Sequence, residues 1–221
     1  MSHSTRNPGS VTPISVRIEQ WLRRRSQVIL VPIARFMGRV GLTPNTLTGI
    51  GLLLNVGVAM VLARSALVLG GWLLLGASAF DALDGTLARL TGRQSKFGAF
   101  LDSTIDRYSE AFVYGGLLLY YLEQGARTET VLVYVAIIGS LMVSYSRARS
   151  EGIGVACQLG IAPRWGRICL IAVGLILNQA TLALWGVAVL ANLTAMQRIV
   201  HVWHETQGQA NVTVPKRAKE E

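Results

Sequence analysis

Charged residues are scarce in this chain, and cysteines are almost missing. Only 15% of the 221 residues are charged, while 51% are hydrophobic, which is too apolar for a soluble protein of ordinary composition. The two cysteines, Cys157 and Cys169, are not spaced as zinc ligands are. No apolar segment of signal-peptide type follows a charged start, so secretion is not expected. The composition predicts one membrane-embedded domain.

The net charge of +9 does not indicate a nucleic-acid-binding protein. The basic residues flank long apolar runs, and no separate basic domain is available to lie along a phosphate backbone. Anionic lipid at a membrane surface is the partner that this distribution predicts.

Six apolar runs are each near the length of ~20 residues that crosses a bilayer as a helix. They predict spans at about 46–63, 67–88, 98–122, 130–149, 164–179 and 181–203. Of 21 lysines and arginines, this layout leaves only Arg64 and Arg127 on the far side, so the positive-inside rule places both termini in the cytosol. The expected fold is an all-α polytopic integral membrane protein with six transmembrane helices, located in the cell membrane.

The chain outside the spans is expected to be cytosolic. Residues 1–43 are predicted to comprise a tail and an amphipathic helix between Ile14 and Gly38, with apolar residues on one face and arginines on the other. Such a helix lies in the membrane interface, or alternatively packs on a soluble partner. Residues 44–204 are the predicted six-span domain, and residues 205–221 a second cytosolic tail. Small residues in the second and third spans would allow close helix packing within the bundle or across a dimer.

Four aspartates stand out because they lie within mostly apolar sequence. Asp81 and Asp84 share one face of a helix at i, i+3, and Asp102 and Asp106 do so at i, i+4. If the two helices are antiparallel neighbours, the four carboxylates converge on one pocket. They then need positive charge between them, because each buried carboxylate costs several kcal/mol to desolvate. Two divalent cations would balance the four charges, and an all-oxygen ligand set favours Mg²⁺ or Mn²⁺ over Zn²⁺.

Two other interpretations of the aspartates remain open. They could be structural and pair with basic residues nearby in the sequence, namely Arg89, Arg93, Lys96 and Arg107. They could also coordinate a transported ion, which would make the protein a cation transporter. The residues Gly85, Ala88 and Arg89 argue against transport, because they have no evident use in a cation path.

The spacing of these residues resembles a family signature. The pattern Asp-x2-Asp-Gly-x2-Ala-Arg-x8-Gly-x3-Asp-x3-Asp, from Asp81 to Asp106, is similar without a mismatch to that of the CDP-alcohol phosphotransferase (phosphatidyltransferase) family of integral membrane enzymes. The resemblance implies transfer of a phosphatidyl group from CDP-diacylglycerol, or an ether-lipid analogue, to an alcohol, with release of CMP. It also implies a homodimer and makes residues 44–204 the catalytic domain.

The resemblance further implies roles for individual residues. Asp81, Asp84 and Asp102 would hold two Mg²⁺ ions, with Mn²⁺ as the alternative metal, and Asp106 would reach the second ion. Asp106 would also be the general base that takes the proton from the acceptor hydroxyl. The residues expected to contact the CDP-lipid are Pro44, Asn45, Thr46, Leu47, Gly85, Ala88, Arg89 and Ser95. For residues 44–47, simple capping of the first span is the alternative.

Four arginines on the same predicted side of the membrane as the aspartates indicate a charged acceptor. Guanidinium groups grip phosphate in bidentate fashion, so the expected ligands of an acceptor phosphate are Arg147, Arg149, Arg164 and Arg167. Ordinary positive-inside topology is the alternative for each of them. The segment Arg-Ala-Arg-Ser-Glu-Gly, together with Asp-Ser-Thr-Ile-Asp-Arg, resembles the phosphatidylinositol-phosphate synthase branch, whose acceptor is inositol 1-phosphate. Glycerol 3-phosphate, the acceptor of a phosphatidylglycerophosphate synthase, is the alternative.

Overall fold

The computed structural model describes residue 28 and residues 30–157 and 159–210, and these are helical apart from the connections, of which the longest covers residues 153–163. Helix α1 covers residues 30–39. It is followed by α2 (Pro44–Ala63), α3 (Leu67–Thr91), α4 (Lys96–Glu123), α5 (Arg127–Gly152), α6 (Arg164–Ile176) and α7 (Ala180–Ala210). Most of the predicted amphipathic helix lies outside the described residues, and so does most of the predicted C-terminal tail, whose first residues continue α7.

Helices α2 to α7 coincide with the six predicted apolar runs. Within the described residues, four helices are long and apolar enough to cross a membrane: α2, α3, α5 and the part of α7 from Ala180 to Gln207. Helix α4 carries charged residues through its first half, and α6 has only 13 residues, so length and composition alone do not mark these two as spans. The described part of the chain is all-helical, as in a polytopic membrane protein.

Local signals in the sequence set the helix ends near the aspartates. Gly92 ends α3 in a left-handed conformation with a φ of 64°, which costs glycine no steric penalty. Ser95 then caps α4, because its Oγ accepts a hydrogen bond of 2.9 Å from the backbone N–H of Gly98. The connection between the two helices is short, and the end of α3 and the start of α4 line the same cavity.

Close helix packing arranges the bundle around this end. Helix α2 packs against α4 and α3, α3 packs against α6, and α7 packs against α5 and α6. Gly116 of α4 lies so close to the Ala59 backbone of α2 that a side chain there would collide with it. At Gly71 of α3 a Cβ atom would lie only 2.9 Å from the Ala172 carbonyl oxygen of α6. These two small residues therefore serve close packing inside the bundle, as is common in membrane proteins.

Helix α7 fixes the segment that leads into α6. Thr194 Oγ1 accepts a hydrogen bond of 3.1 Å from the backbone N–H of Ala162, and Arg198 Nε donates one of 2.8 Å to the Leu159 carbonyl. These bonds hold the backbone just before Arg164, the first residue of α6. The break between α6 and α7 falls at Asn178, whose φ of 57° is a left-handed conformation that asparagine tolerates better than most residues.

Candidate active site

The four aspartates lie at one end of the bundle, on the last part of α3 and the first part of α4. Asp84 is buried, with 8% of its surface exposed, and the other three are half-buried. Thr48 of α2 donates a hydrogen bond of 2.7 Å to Asp84 Oδ2, and the backbone N–H of Gly85 donates to Oδ1. Both carboxylate oxygens of Asp84 are therefore held in one orientation.

Arg164 reaches between two of the aspartates from the start of α6. Its Nη1 lies 2.8 Å from Asp106 Oδ1, and its Nη2 lies 3.0 Å from Asp81 Oδ2. The three side chains are 16 to 27% exposed, so water only partly screens these ion pairs. Of the basic residues nearby in the sequence, Arg107 comes within 4.0 Å of Asp106. The main cationic partner thus comes from another helix, which sequence spacing does not indicate.

A glycine on α2 makes room for Asp81. A Cβ atom on Gly51 would collide with Asp81 Oδ1, so a side chain at this position would force the carboxylate to shift. Gly51 follows Thr48 by three residues, which places both on the same face of α2. Helix α2 therefore orients Asp84 through a hydrogen bond and accommodates Asp81 by lacking a side chain.

Two cavities meet at the aspartates. The first, of about 340 Å³, lies between the start of α2, the end of α3 and the start of α4. The second, of about 330 Å³, is lined by Asp81, Asp106 and Arg164 and extends to Leu30 of α1. Four residues line both cavities: Asp84, Gly85, Arg89 and Asp102. Two ligands bound in these cavities would therefore meet beside the carboxylates.

Most residues expected to contact a CDP-lipid surround the first cavity. They are Pro44, Asn45, Gly85, Ala88, Arg89 and Ser95. The other two are placed differently: the backbone N–H of Thr46 donates a hydrogen bond of 3.2 Å to Thr43 Oγ1, which caps α2. Leu47 is 1% exposed and belongs to a small apolar cluster with Ala34 and Leu87. Capping and packing account for Thr46 and Leu47, and their contact with lipid stays a prediction.

The four arginines expected at an acceptor phosphate are not gathered in one place. Arg164 lines the second cavity. Arg167 is buried and faces Glu110, to which it donates two hydrogen bonds of 2.8 Å. Arg147 forms an exposed ion pair of 2.8 Å with a glutamate one turn further along α5, and Arg149 is exposed. Only Arg164 therefore stands beside the aspartates.

Comparison with known proteins identifies the family. A family model described as CDP-alcohol phosphatidyltransferase matches residues 41–204. The chain belongs to this family. The family expected from the aspartate spacing is therefore confirmed, and the protein is a membrane-embedded transferase of phospholipid biosynthesis.

The sequences similar to this phosphatidyltransferase include an archaetidylinositol phosphate synthase and a phosphatidylinositol phosphate synthase. The archaetidylinositol phosphate synthase of Pyrococcus horikoshii is 38% identical over 179 residues, which cover 80% of this chain and 93% of that protein. The phosphatidylinositol phosphate synthase of Corynebacterium glutamicum is 32% identical over 206 residues, which cover 89% of this chain and 94% of that protein. Both matches extend well beyond the aspartate signature.

A solved structure shares the fold of this phosphatidyltransferase. The phosphatidylinositol phosphate synthase of Mycobacterium tuberculosis, crystallised with CDP-DAG bound, superimposes with a TM-score of 0.75 at 29% identity, covering 87% of this chain and 98% of that chain. The same enzyme has also been crystallised in complex with manganese and citrate.

The aspartate carboxylates of this phosphatidyltransferase are suitable ligands for a hard divalent ion, although two of them pair with the Arg164 guanidinium in this structure. Carboxylate oxygens are the ligands that Mg²⁺ and Mn²⁺ prefer, and Arg164 already places positive charge between Asp81 and Asp106. Among the residues that the structure describes, no three Asp, Glu, His or Cys side chains lie close enough together to hold one ion. An ion bound through Asp81 and Asp106 would compete with Arg164 for the same oxygens.

Sequence reasoning missed three residues that shape this site, namely Thr48, Gly51 and Glu110. Glu110 carries a usable signal, because it is an acidic residue one helical turn after Asp106 on a helix that is predicted to cross the membrane. Thr48 and Gly51 carry none, since a threonine and a glycine near the start of a span are equally compatible with capping or packing.

Proposed function

We propose that this phosphatidyltransferase transfers the phosphatidyl group of CDP-diacylglycerol, or of an ether-lipid analogue, to inositol 1-phosphate and releases CMP. The observation that carries the proposal is the pair of cavities that share Asp84, Gly85, Arg89 and Asp102. The names of the two relatives differ in the lipid, archaetidyl against phosphatidyl, and agree in the inositol phosphate. That agreement supports a phosphorylated alcohol as the acceptor that this chain shares with both relatives, and it leaves the lipid chemistry open.

Each cavity offers the groups that one substrate needs. In the first, Gly85 permits close approach of the nucleotide, and Arg89 supplies positive charge for its phosphates. The Arg89 side chain is steadied by a hydrogen bond of 3.1 Å from its Nη2 to Thr86 Oγ1. In the second cavity, Arg164 is the ligand proposed for the acceptor phosphate, and Asp106 lies next to it.

The aspartates are the proposed metal ligands. Asp81, Asp84 and Asp102 would hold two Mg²⁺ ions, with Mn²⁺ as the alternative, and Asp106 would reach the second. Bound divalent ions would supply the positive charge that neutralises the pyrophosphate and stabilises the leaving CMP. The hydrogen bonds from Thr48 and Gly85 orient Asp84 for this role.

Asp106 is the proposed general base. It lines the second cavity together with Arg164, on the side proposed for the acceptor. The acceptor hydroxyl oxygen forms a bond to the phosphorus that carries the lipid, its proton passes to Asp106, and the bond from that phosphorus to CMP breaks. Arg164 holds the acceptor phosphate during attack, because a guanidinium can grip two phosphate oxygens at once.

Six membrane spans, α2 to α7, complete the proposal. In α4 the charged first part would line the cavities and the apolar remainder would cross the membrane. The distribution of lysine and arginine supports a cell-membrane orientation with both termini and the aspartates at the cytosolic side. Residues 44–204 would then form the catalytic domain, flanked by cytosolic segments, and the family resemblance supports a homodimer.

An acceptor panel tests the activity. Purified enzyme should receive CDP-diacylglycerol with inositol 1-phosphate, glycerol 3-phosphate, serine or inositol, and CMP release should be measured. We expect release with inositol 1-phosphate, its loss in EDTA and its return with Mg²⁺. Preference for serine or free inositol would contradict the role of Arg164, and preference for glycerol 3-phosphate would identify a phosphatidylglycerophosphate synthase.

A further inference from the structure

Two ion pairs, one helical turn apart, connect α4 with α6. Arg164 pairs with Asp106, and Arg167 donates from Nε and Nη2 to the two carboxylate oxygens of Glu110, both at 2.8 Å. Glu110 follows Asp106 by four residues and Arg167 follows Arg164 by three, and these spacings keep each set on one helix face. The second ion pair therefore lies one turn further from the cavities than the first.

The Glu110–Arg167 pair is enclosed by the bundle. Glu110 is 8% exposed and Arg167 is 2% exposed. Burying two ions costs several kcal/mol for each, and apolar side chains of similar volume are often equally stable in such places. A gain in stability therefore does not explain why this ion pair is buried here. The fixed, bidentate geometry of the pair does explain it, because two parallel hydrogen bonds hold both side chains in one orientation.

Arg167 also holds the first turn of α6. Its Nη1 donates a hydrogen bond of 2.9 Å to the Ala162 carbonyl, directly before Pro163, the residue that caps the helix. The main packing neighbours of α6 are α3 and α7, so Glu110 provides an anchor from α4. Because helix ends fray, the position of Arg164, the first residue of α6, depends on what holds this turn.

We propose that Glu110 and Arg167 form a positioning pair that sets where Arg164 lies between Asp81 and Asp106. The inference rests on the proposed function, in which Arg164 binds the acceptor phosphate. Each nitrogen of the Arg167 guanidinium already donates to Glu110 or Ala162, so Arg167 acts through Arg164. Loss of either partner should then weaken acceptor binding without affecting the CDP-lipid, which the first cavity holds.

A double-mutant cycle on the full-length enzyme tests this inference. CMP release would be measured for Glu110→Gln, Arg167→Met, the combination of the two, and Arg164→Gln with and without Glu110→Gln. We expect each single change at the pair to raise the acceptor KM about tenfold, a typical effect of losing a residue that orients a ligand group. The KM for CDP-diacylglycerol should not change. The combined variant should be no worse than either single one, and Glu110→Gln should add nothing once Arg164 is replaced.

Two kinetic outcomes would overturn the inference. In the first, the increases in acceptor KM caused by Glu110→Gln and by Arg164→Gln multiply in the double variant. That result would mean that the pair acts independently of Arg164. A raised acceptor KM in Arg167→Met but not in Glu110→Gln would make Arg167 itself the phosphate ligand. Tyr121→Phe is the matched control, because it removes a hydrogen bond of 3.2 Å to Thr181 at the opposite end of α4. It should lower the melting temperature slightly and leave both KM values unchanged.

A stability cycle tests the same inference without turnover. Arg164→Gln should lower the melting temperature, because it leaves Asp81 and Asp106 without their cation. In the Glu110→Gln background this decrease should be smaller, since Arg164 is no longer held against them. Equal decreases in both backgrounds would overturn the positioning role. Absence of CMP release from the wild-type enzyme with every acceptor would instead overturn the proposed function alone.

Discussion

Replacing Gly51 by alanine adds one methyl group against the carboxylate of Asp81. The new Cβ would collide with Asp81 Oδ1, and ordinary van der Waals contact would require a shift of roughly 1 Å. Asp81 is not free to move, because its Oδ2 lies 3.0 Å from Arg164 Nη2. Misplacing a catalytic group by about 1 Å can cost about 100-fold in rate, or ~2.7 kcal/mol of transition-state stabilisation. We therefore expect Gly51→Ala to lower kcat for CMP release roughly 100-fold.

The same helix offers a matched control for this prediction. At Gly57 of α2 a Cβ atom would meet nothing within 4 Å, so Gly57→Ala should retain wild-type kcat. Alanine is favoured over glycine in a helix by about 1 kcal/mol, so helix propensity disfavours neither variant. CMP release and melting temperature would be measured for both proteins. Wild-type kcat in Gly51→Ala would show that activity does not need the close approach of α2 to Asp81. An equal loss of kcat in Gly57→Ala would show that the loss arises from a general change in α2 and not from contact with Asp81.

Three further changes probe individual side chains. Asp106→Asn should abolish CMP release while CDP-lipid binding, measured by titration, persists; substantial turnover would remove Asp106 from the base role. Thr48→Val keeps the volume but deletes the 2.7 Å hydrogen bond to Asp84, so the Mg²⁺ concentration for half-maximal activity should rise roughly tenfold. An unchanged metal requirement would show that Thr48 does not orient a metal ligand. Arg164→Gln should raise the acceptor KM by at least about tenfold, and an effect confined to the KM of the CDP-lipid would place Arg164 with the other substrate.

The parts of the site that could be predicted are local in sequence. Asp81, Asp84, Asp102 and Asp106 lie on two consecutive helices joined by residues 92–95, so helical spacing alone brings each pair onto one face. The helix positions could be predicted for a similar reason, because apolar runs bounded by polar residues mark them. The charged first half of α4 and the short α6 fit this pattern least well, and of the six helices predicted as spans they are the two that composition does not mark.

The remaining contacts join residues from different helices, and one sequence does not specify which helices are neighbours. Thr48 reaches Asp84 from α2, and Arg164 reaches Asp106 from α6. Arg164 and Arg167 look equivalent in sequence, since both begin a short apolar helix. Their surroundings separate them, because one faces a cavity and the other faces Glu110 inside the bundle.

The charges at this site do not balance through arginine alone. Arg164 contributes one positive charge for Asp81 and Asp106, and Arg107 lies 4.0 Å from Asp106. Arg167 is committed to Glu110. Within the described part of the chain, no basic side chain forms an ion pair with Asp84 or Asp102, the two aspartates that line both cavities. Two carboxylates thus remain to be neutralised where the CDP-lipid and the acceptor would meet. Because a second buried negative charge raises the cost of the first, the electrostatic need for divalent ions persists with Arg164 in place, and it is concentrated at the point where a pyrophosphate would lie.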